Sequence, residues 1–451
     1  MTQIHFSSAL LPHGWAANVR VTIEDGVIRA AMANASVDGT EAIRGYAVPG
    51  MPNVHCHAFQ RALAGLAERA DQSDDSFWTW REVKYDFLQK LTPDDVEAIA
   101  AQAYVEMLES GFTNCVEFHY LHHDPDGQPY GSIAEMPERI VAAAETSGVG
   151  LTLLPVLYTF GGFGGVPATH GQRRFVVDFD CFARLLEASE KAVRRLPGAV
   201  IGVAPHSLRA VSPEALAQAV KLAGQNPIHI HIAEQEREVQ DCLAWSGRRP
   251  ITWLLDEMPV DSRWCLIHAT RVTSEETRRV AATGATVGLC PITEANLGDG
   301  IFPAVEYRSA GGRFGIGSDS NVLISVAEEL RTLEYSQRLE RRRRNLLADP
   351  GASTGRTMYD AALVGGRAAS GCQIGAIAPG YRADFVVLDA DTPALVGRSK
   401  DDILDGWIFA ARRSPVREVW VGGKRVVAGG RHLLREQVFM RFKATIDRIV
   451  E

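Results

Sequence analysis

His55 and His57 stand two residues apart in the run PNVHCH. Residues two apart on a β-strand project to the same face, so this pair can grip one ion. Ionisable residues recur at the ends of later apolar runs: His119 and Tyr120, His206 with Arg209 three residues on, His229 and His231 followed by Glu234, then His268, and last Asp319. Polar groups at buried strand ends are unfavourable unless satisfied, so their gathering at one rim points to a metal or a substrate. His231 and Asp319 could complete the set that His55 and His57 begin. Three imidazoles and one carboxylate suit Zn²⁺ or Fe²⁺, whereas Mg²⁺ and Ca²⁺ prefer all-oxygen shells. Zn²⁺ is the first expectation and Fe²⁺ the second. His229 lies on the same strand face as His231 and competes with it here, while Cys56 alternates to the opposite face.

Such groups can converge only if strands present them at one open end. Short apolar runs fall at 47–57, 113–120, 150–158, 200–207, 227–234, 263–270, 285–294 and 313–320, with helix-like segments between them. Several are apolar on successive residues, as in strands buried on both faces of a parallel sheet. Pro93–Ser110 reads as a helix with Thr92 as N-cap, Asp95 at N3 and Gly111 after its end; 212–224 has the same form, with Ser212, Pro213 and Gly224. Eight strand-then-helix units predict an α/β fold, a (β/α)₈ TIM-type barrel with its site at the C-terminal strand ends. The flanks are different. Residues 1–48 hold short alternating runs, and the far end holds DFVVLD and a pair of runs joined by Gly422-Gly423 that reads as a hairpin. Neither flank supplies a large core by itself. Both termini, 1–48 and 373–451, are therefore expected to join in a small β-sandwich domain beside a barrel of residues 49–372, with 435–451 as a closing helix.

Of the 451 residues, 46% are hydrophobic and 23% charged, the balance of a soluble globular enzyme. A net charge of -8 argues against a nucleic-acid or anionic-membrane surface, so an anionic substrate must be held by discrete arginines. Seven cysteines without a C-x-x-C pair fit a reducing cytoplasm, and neither a signal peptide nor a membrane span is expected.

The segments PNVHCH, HIHIAE, LIHAT and IGSDS, with the late PGYRADFVVLD, resemble the amidohydrolase superfamily over essentially the whole chain, in particular its mononuclear deaminases. The resemblance implies His55, His57, His231 and Asp319 as metal ligands and Glu234 as proton shuttle. It implies that His268 holds or deprotonates the attacking water, with Asp319 beside it. It selects His231 over His229, because the ligand stands three residues before the glutamate; His229 becomes a hydrogen-bonded structural residue. Binuclear members carry a carboxylated lysine at the end of strand four, where this chain has Pro205-His206-Ser207, so a single divalent metal is implied.

HCHAFQRALAG, FWTWREVKYDF, VEFHYLHH, PHSLRAVS and CPITEANLGDG narrow the resemblance to the formimidoylglutamate deiminases, which release ammonia from N-formimidoyl-L-glutamate in histidine degradation. That implies substrate contacts from Gln60, Arg81, Tyr120, His206 and Arg209. The partner is then a small dicarboxylate, and the expected assembly is a homodimer. Residue chemistry agrees in kind, since arginine's planar fork grips carboxylates bidentately. The competing classes are deaminases of guanine, cytosine or an adenosine derivative, iminohydrolases of guanidino acids, and a barrel scaffold without activity. A nucleobase pocket would use stacking aromatics and amides in place of two arginines, and a scaffold would lack ligands. His122 and His123 are expected at the surface or in a lid, GGFGG at 161–165 as a lid or plain loop, and 341–344 as a solvated helix face. Trp78 and Trp80 suit either pocket lining or loop packing.

Overall fold

The computed structural model describes residues 1–37, 41–68 and 77–450. Four strands open the chain: β1 (Thr2–Leu11), β2 (Gly14–Glu24), β3 (Val27–Met32) and β4 (Glu41–Pro49). After a break at Gly50, β5 (Met51–Cys56) begins a different sheet, so the single run expected over 47–57 is two strands. A side chain at position 50 would overlap Thr113, and glycine is what lets the chain pass from one sheet to the next.

β5, β6 (Phe112–His119), β7 (Gly150–Leu157) and β8 (Val200–Ile201) pair in that order, and β9 (Ala204–Pro205) also pairs with β7. β10 (Ile228–Ile232), β11 (Trp264–His268), β12 (Thr286–Leu289) and β13 (Arg313–Ile316) form a second sheet. Each of these pairings is parallel. Parallel bridges join the two sheets at both edges: Val203 to Ile228 and Ser207 to His231 on one side, Cys56 to Asp319 on the other. Every residue of β5, β6, β10, β11 and β12 is buried, as in parallel strands covered on both faces.

Helices separate the strands, and their ends follow local chemistry. Thr92 and Asp95 form a reciprocal capping box at the start of Pro93–Ser110, and Gly111 ends it with φ +105°. Ser212 caps Pro213–Ala223. β12 is shorter than the run at 285–294 suggested, because Pro291 opens a helix, Pro291–Leu297, inside it.

β14 (Phe385–Leu388), β15 (Val416–Val421), β16 (Lys424–Ala428) and β17 (Arg431–His432) return to the first strands. The order β17-β16-β15-β14-β4-β1-β2-β3 makes one mixed sheet from both ends of the chain. Its far edge bends back, with Val27 bridged to Arg382 and Ile28 N donating to Tyr381 O. Gly422 and Gly423 turn β15 into β16 at positive φ, as the hairpin requires. Alternate residues of β14 serve two cores. Phe385 and Val387 pack with Phe6, Val21 and Trp420, while Val386 and Leu388 join the larger core beneath the parallel sheets. The closing helix, Arg435–Val450, packs on Pro93–Ser110; Glu451 lies outside the described residues. No described helix is long and apolar enough to cross a membrane.

Candidate metal centre and active site

His55, His57, Tyr120, His206, His231, His268 and Asp319 sit at or just past the C-terminal ends of β5, β6, β9, β10, β11 and β13. The backbone leaves three of these strands through left-handed residues: Ala233 at φ +50°, His268 at +70°, Ala269 at +50° and Asp319 at +44°. Such positions in non-glycine residues cost about 1–3 kcal/mol each and persist only where surrounding structure enforces them. Here the enforcement is visible. Asp319 N donates to His55 O at 3.0 Å, and His57 N donates to Asp319 O at 3.0 Å, so the chain ends of β5 and β13 lock together.

Three imidazoles and a carboxylate converge. His55 Nε2 lies 3.0 Å from His231 Nε2 and 3.4 Å from Asp319 Oδ1. His57 Nε2 lies 3.4 Å from the same oxygen. His57 Nδ1 donates to Phe118 O at 2.8 Å and His231 Nδ1 to His206 O at 3.0 Å, which leaves each Nε2 lone pair facing the cluster. His55 Nδ1 has no hydrogen-bond partner among the described residues. Burial lowers the pKa of all three histidines, and their mutual proximity lowers those of His57 and His231 further, which favours the neutral form that ligates metal. Burial works against the Asp319 carboxylate, but His55, His268 and His57 outweigh it and hold Asp319 well below the usual range. Imidazoles and an ionised carboxylate, grouped as His55, His57 and Asp319 and as His55, His231 and His268 about the shared His55 ring, are a donor set that a divalent cation fits. Cys56 is turned to the other side, near Cys115 and Glu117.

His268 stands next to this cluster. Its Nε2 is 3.8 Å from Asp319 Oδ2 and 3.8 Å from Glu234 Oε1, and its Nδ1 is 3.3 Å from Glu294 Oε1. Burial disfavours its charge, but Glu234, Glu294 and Asp319 raise its pKa to about 10. Glu234 is pushed upward by burial, against the pull of His268 and of Arg209, whose nearest nitrogen is 3.9 Å away. Its backbone is pinned as well: Thr270 Oγ1 donates to Glu234 O at 2.7 Å, and Glu234 N donates to Glu238 Oε2 at 3.0 Å. Glu294 also accepts from Cys290 N at 2.8 Å, so it is a fixed partner for the His268 ring.

His57, His231, Glu234, His268 and Asp319 open into a narrow cavity that Gln60, Arg81, Tyr120, His206 and Arg209 also line. Gln60 Nε2 donates to the Tyr120 hydroxyl at 2.8 Å, and the Tyr120 ring lies 4.9 Å from that of His57. His206 sits between Tyr158, at 4.6 Å, and His231, at 4.8 Å. Arg81 comes from the helix Phe77–Leu88, with its guanidinium 4.5 Å from the Trp78 ring. Trp80 lines the cavity, whereas Trp78 lies beneath Arg81 and Arg237. Sequence reasoning missed Lys84 and Tyr85 on the same helix, and Glu238 and Glu294. The helical spacing of Lys84 from Arg81 was the available signal.

Several expectations need correction or completion. His122 and His123 are buried, each donating from Nε2 at 2.9 Å, to Val156 O and Val176 O. They sit inside because they satisfy strand and loop carbonyls that would otherwise be orphaned. Only Arg341 of the 341–344 run is helical, and it pairs with Glu306. Phe163 of the GGFGG loop stacks on Trp245 at 5.5 Å. His229 donates from Nε2 to Ala369 O at 2.8 Å, a structural contact away from the cluster.

The amidohydrolase family pattern matches residues 46–426, and the N-terminal domain of the formimidoylglutamate deiminase HutF matches residues 1–44. The formimidoylglutamate deiminase of Pseudomonas aeruginosa is 50% identical over 455 residues, spanning 100% of both chains. A 5-methylthioadenosine/S-adenosylhomocysteine deaminase of Natronomonas pharaonis is 29% identical over 91% of this chain and 88% of its own. The crystal structure of an amidohydrolase from Brucella melitensis is 52% identical and superposes with a TM-score of 0.96 over 100% of both chains. A zinc-bound adenosine deaminase from Xanthomonas campestris, 22% identical, has the same fold with a TM-score of 0.83, covering 100% of this chain and 98% of its own.

Proposed function

The chain belongs to the amidohydrolase family, and from that premise we propose that it hydrolyses N-formimidoyl-L-glutamate to N-formyl-L-glutamate and ammonia. The observation that carries this reading is that one cavity joins His57, His231 and Asp319, with Glu234 and His268 beside them, to a wall bearing Arg81 and Arg209. The first half is machinery for hydrolysing a C=N bond, and the second is a receptor for carboxylates. Full-length likeness to a formimidoylglutamate deiminase supports the same substrate.

His55, His57, His231 and Asp319 would hold one divalent metal, Zn²⁺ for this donor set, which when bound polarises water and lowers its pKa towards neutrality. Arg81, Arg209, Gln60 and Tyr120 bind the two carboxylates and turn the formimidoyl carbon towards the cluster. His206 walls the cavity between Tyr120 and His231. His268, anchored at Nδ1 by Glu294, orients the attacking water through Nε2 beside Asp319. Glu234 takes the proton that water releases as its oxygen bonds to the carbon of C=N. It gives that proton to the nitrogen of C=N, then passes on the second, from the new hydroxyl, as C=O forms; the C–N bond breaks, and ammonia leaves.

In this reading the two parallel sheets are arcs of one closed (β/α)₈ barrel, residues 49–372, and the terminal sheet is a small β-sandwich domain of residues 1–48 and 373–451. Bridges at both sheet edges and the separate terminal core support it. The reading also carries a cytoplasmic homodimer. Its test is ammonia release from N-formimidoyl-L-glutamate with metal measured in the same sample. Turnover that rises in proportion to bound metal is expected. Turnover confined to a nucleobase, an adenosine derivative or a guanidino acid would overturn it.

A further inference from the structure

We propose that Lys84 is a third cation of the substrate site, which together with the Tyr120 hydroxyl clamps one carboxylate and makes the enzyme select dicarboxylates over monocarboxylates. The inference rests on the dicarboxylate reading above and adds to it a residue that the arginine pattern did not indicate.

Lys84 is only 8% exposed and lines the cavity that contains Glu234 and Asp319. Its ammonium donates to the Tyr120 hydroxyl at 3.2 Å, the one hydrogen bond it makes among the described residues. It forms no ion pair among them. Aromatic rings fill much of its surroundings, with centroids at 4.7 Å for Trp80, 5.6 Å for Tyr120 and 5.7 Å for Tyr85. Ring faces attract a cation but do not neutralise it. An ammonium has three donors, so two are left for a ligand. The anions of the cavity are occupied elsewhere, Asp319 with His55 and His57, and Glu234 near His268 and Arg209. Burial, with Arg81 beside it, brings the Lys84 pKa down to about 7, the mark of a cation short of a counter-charge.

Tyr120 supplies the second half of the clamp. Its oxygen accepts from both Gln60 and Lys84. Both lone pairs are then used, and the hydroxyl proton is free to be donated into the cavity. Burial pushes the Tyr120 pKa well up, so that proton stays in place. An ammonium with two donors unused and a phenol proton without an acceptor, side by side, form a site for a carboxylate. Arg81 lies three residues before Lys84 on the same helix, and Arg209 comes from the segment after β9, so a second carboxylate has its own cations.

The experiment uses the full-length, metal-loaded protein and its Lys84→Met, Lys84→Gln and Lys84→Arg variants. Steady-state kinetics are measured on N-formimidoyl-L-glutamate and on N-formimidoyl-4-aminobutyrate, which lacks one carboxylate. Calorimetry measures binding of glutarate, a dicarboxylate that cannot react, and thermal melting reports folding. Removing the buried cation is expected to raise KM for the dicarboxylate and Kd for glutarate ~30-fold or more, with a much smaller change in kcat. Lys84→Arg should recover part of the affinity. The preference for two carboxylates over one should shrink in the neutral variants. Lys84→Gln carries the test if the methionine protein melts early. Wild-type glutarate binding that stays within threefold in well-folded neutral variants overturns the role of Lys84 alone. No glutarate binding by the wild type overturns the dicarboxylate reading with it.

Discussion

Glu234 meets the two demands on a proton shuttle, a fixed position and a pKa that can move. Its main chain is held at both ends by Thr270 and Glu238, and its carboxyl group lies between His268 and Arg209. Glutamine keeps the shape but cannot carry a proton. Glu234→Gln is therefore expected to cut kcat ~10²- to 10⁴-fold while metal content stays near that of the parent. His231→Ala should lose metal and turnover together. Parallel metal analysis and ammonia assays check both, and near-normal turnover by Glu234→Gln would remove the shuttle role. The sequence displayed these residues because each ends an apolar run. Lys84 and Glu294 were hidden for a physical reason. Lys84 sits on a helix whose polar side resembles a solvated face, and Glu294 lies in a segment read as strand. Their roles arise only when Tyr120 and His268, far away in the chain, fold against them.

The elements hold the site in register through close backbone approach. The helix Thr354–Ser370 lies against β5, β12 and β13, and so against the strands that carry His55 and lead to Asp319. Gly365 and Gly366 allow this: a Cβ at 365 would overlap the Phe314 carbonyl, and one at 366 would sit 2.8 Å from Pro52. Glycine inside a helix is locally unfavourable by about 1 kcal/mol, so the pair is kept for packing. Gly365→Ala is expected to destabilise the fold by ~1–3 kcal/mol, against the gain that alanine gives an exposed helix, and to loosen metal binding. Urea unfolding with metal analysis measures both, and an unchanged or higher midpoint would show that the helix has room to move. Element type was legible in the eight apolar runs and in the Thr92 and Ser212 caps, because pattern and capping are local. Where one sheet hands over to the next was not. The break at Gly50 depends on Thr113, and the end of β12 on a helix begun by Pro291.

At the scale of the whole chain, the proposed ligand set spans both parallel sheets. His55 and His57 come from the first, His231 and Asp319 from the second, and the Cys56–Asp319 bridge closes one seam between them. The terminal sheet is not an independent appendage either. β14 turns alternate residues into two cores, and Tyr359 Oη donates to Pro49 O where β4 passes to β5. A cation bound at the seam should therefore stabilise the molecule as a unit, by ~4 kcal/mol when free metal is a thousand times its Kd. Removing metal with a chelator is expected to lower Tm while one transition remains. Far-ultraviolet circular dichroism should follow the same curve as tryptophan fluorescence, with Trp15 and Trp420 reporting on the terminal sheet and Trp264 on β11. Two separated transitions after chelation, with the terminal sheet surviving the parallel ones, would mean that the shared strand β14 does not couple them. The metal would then act on the parallel sheets alone.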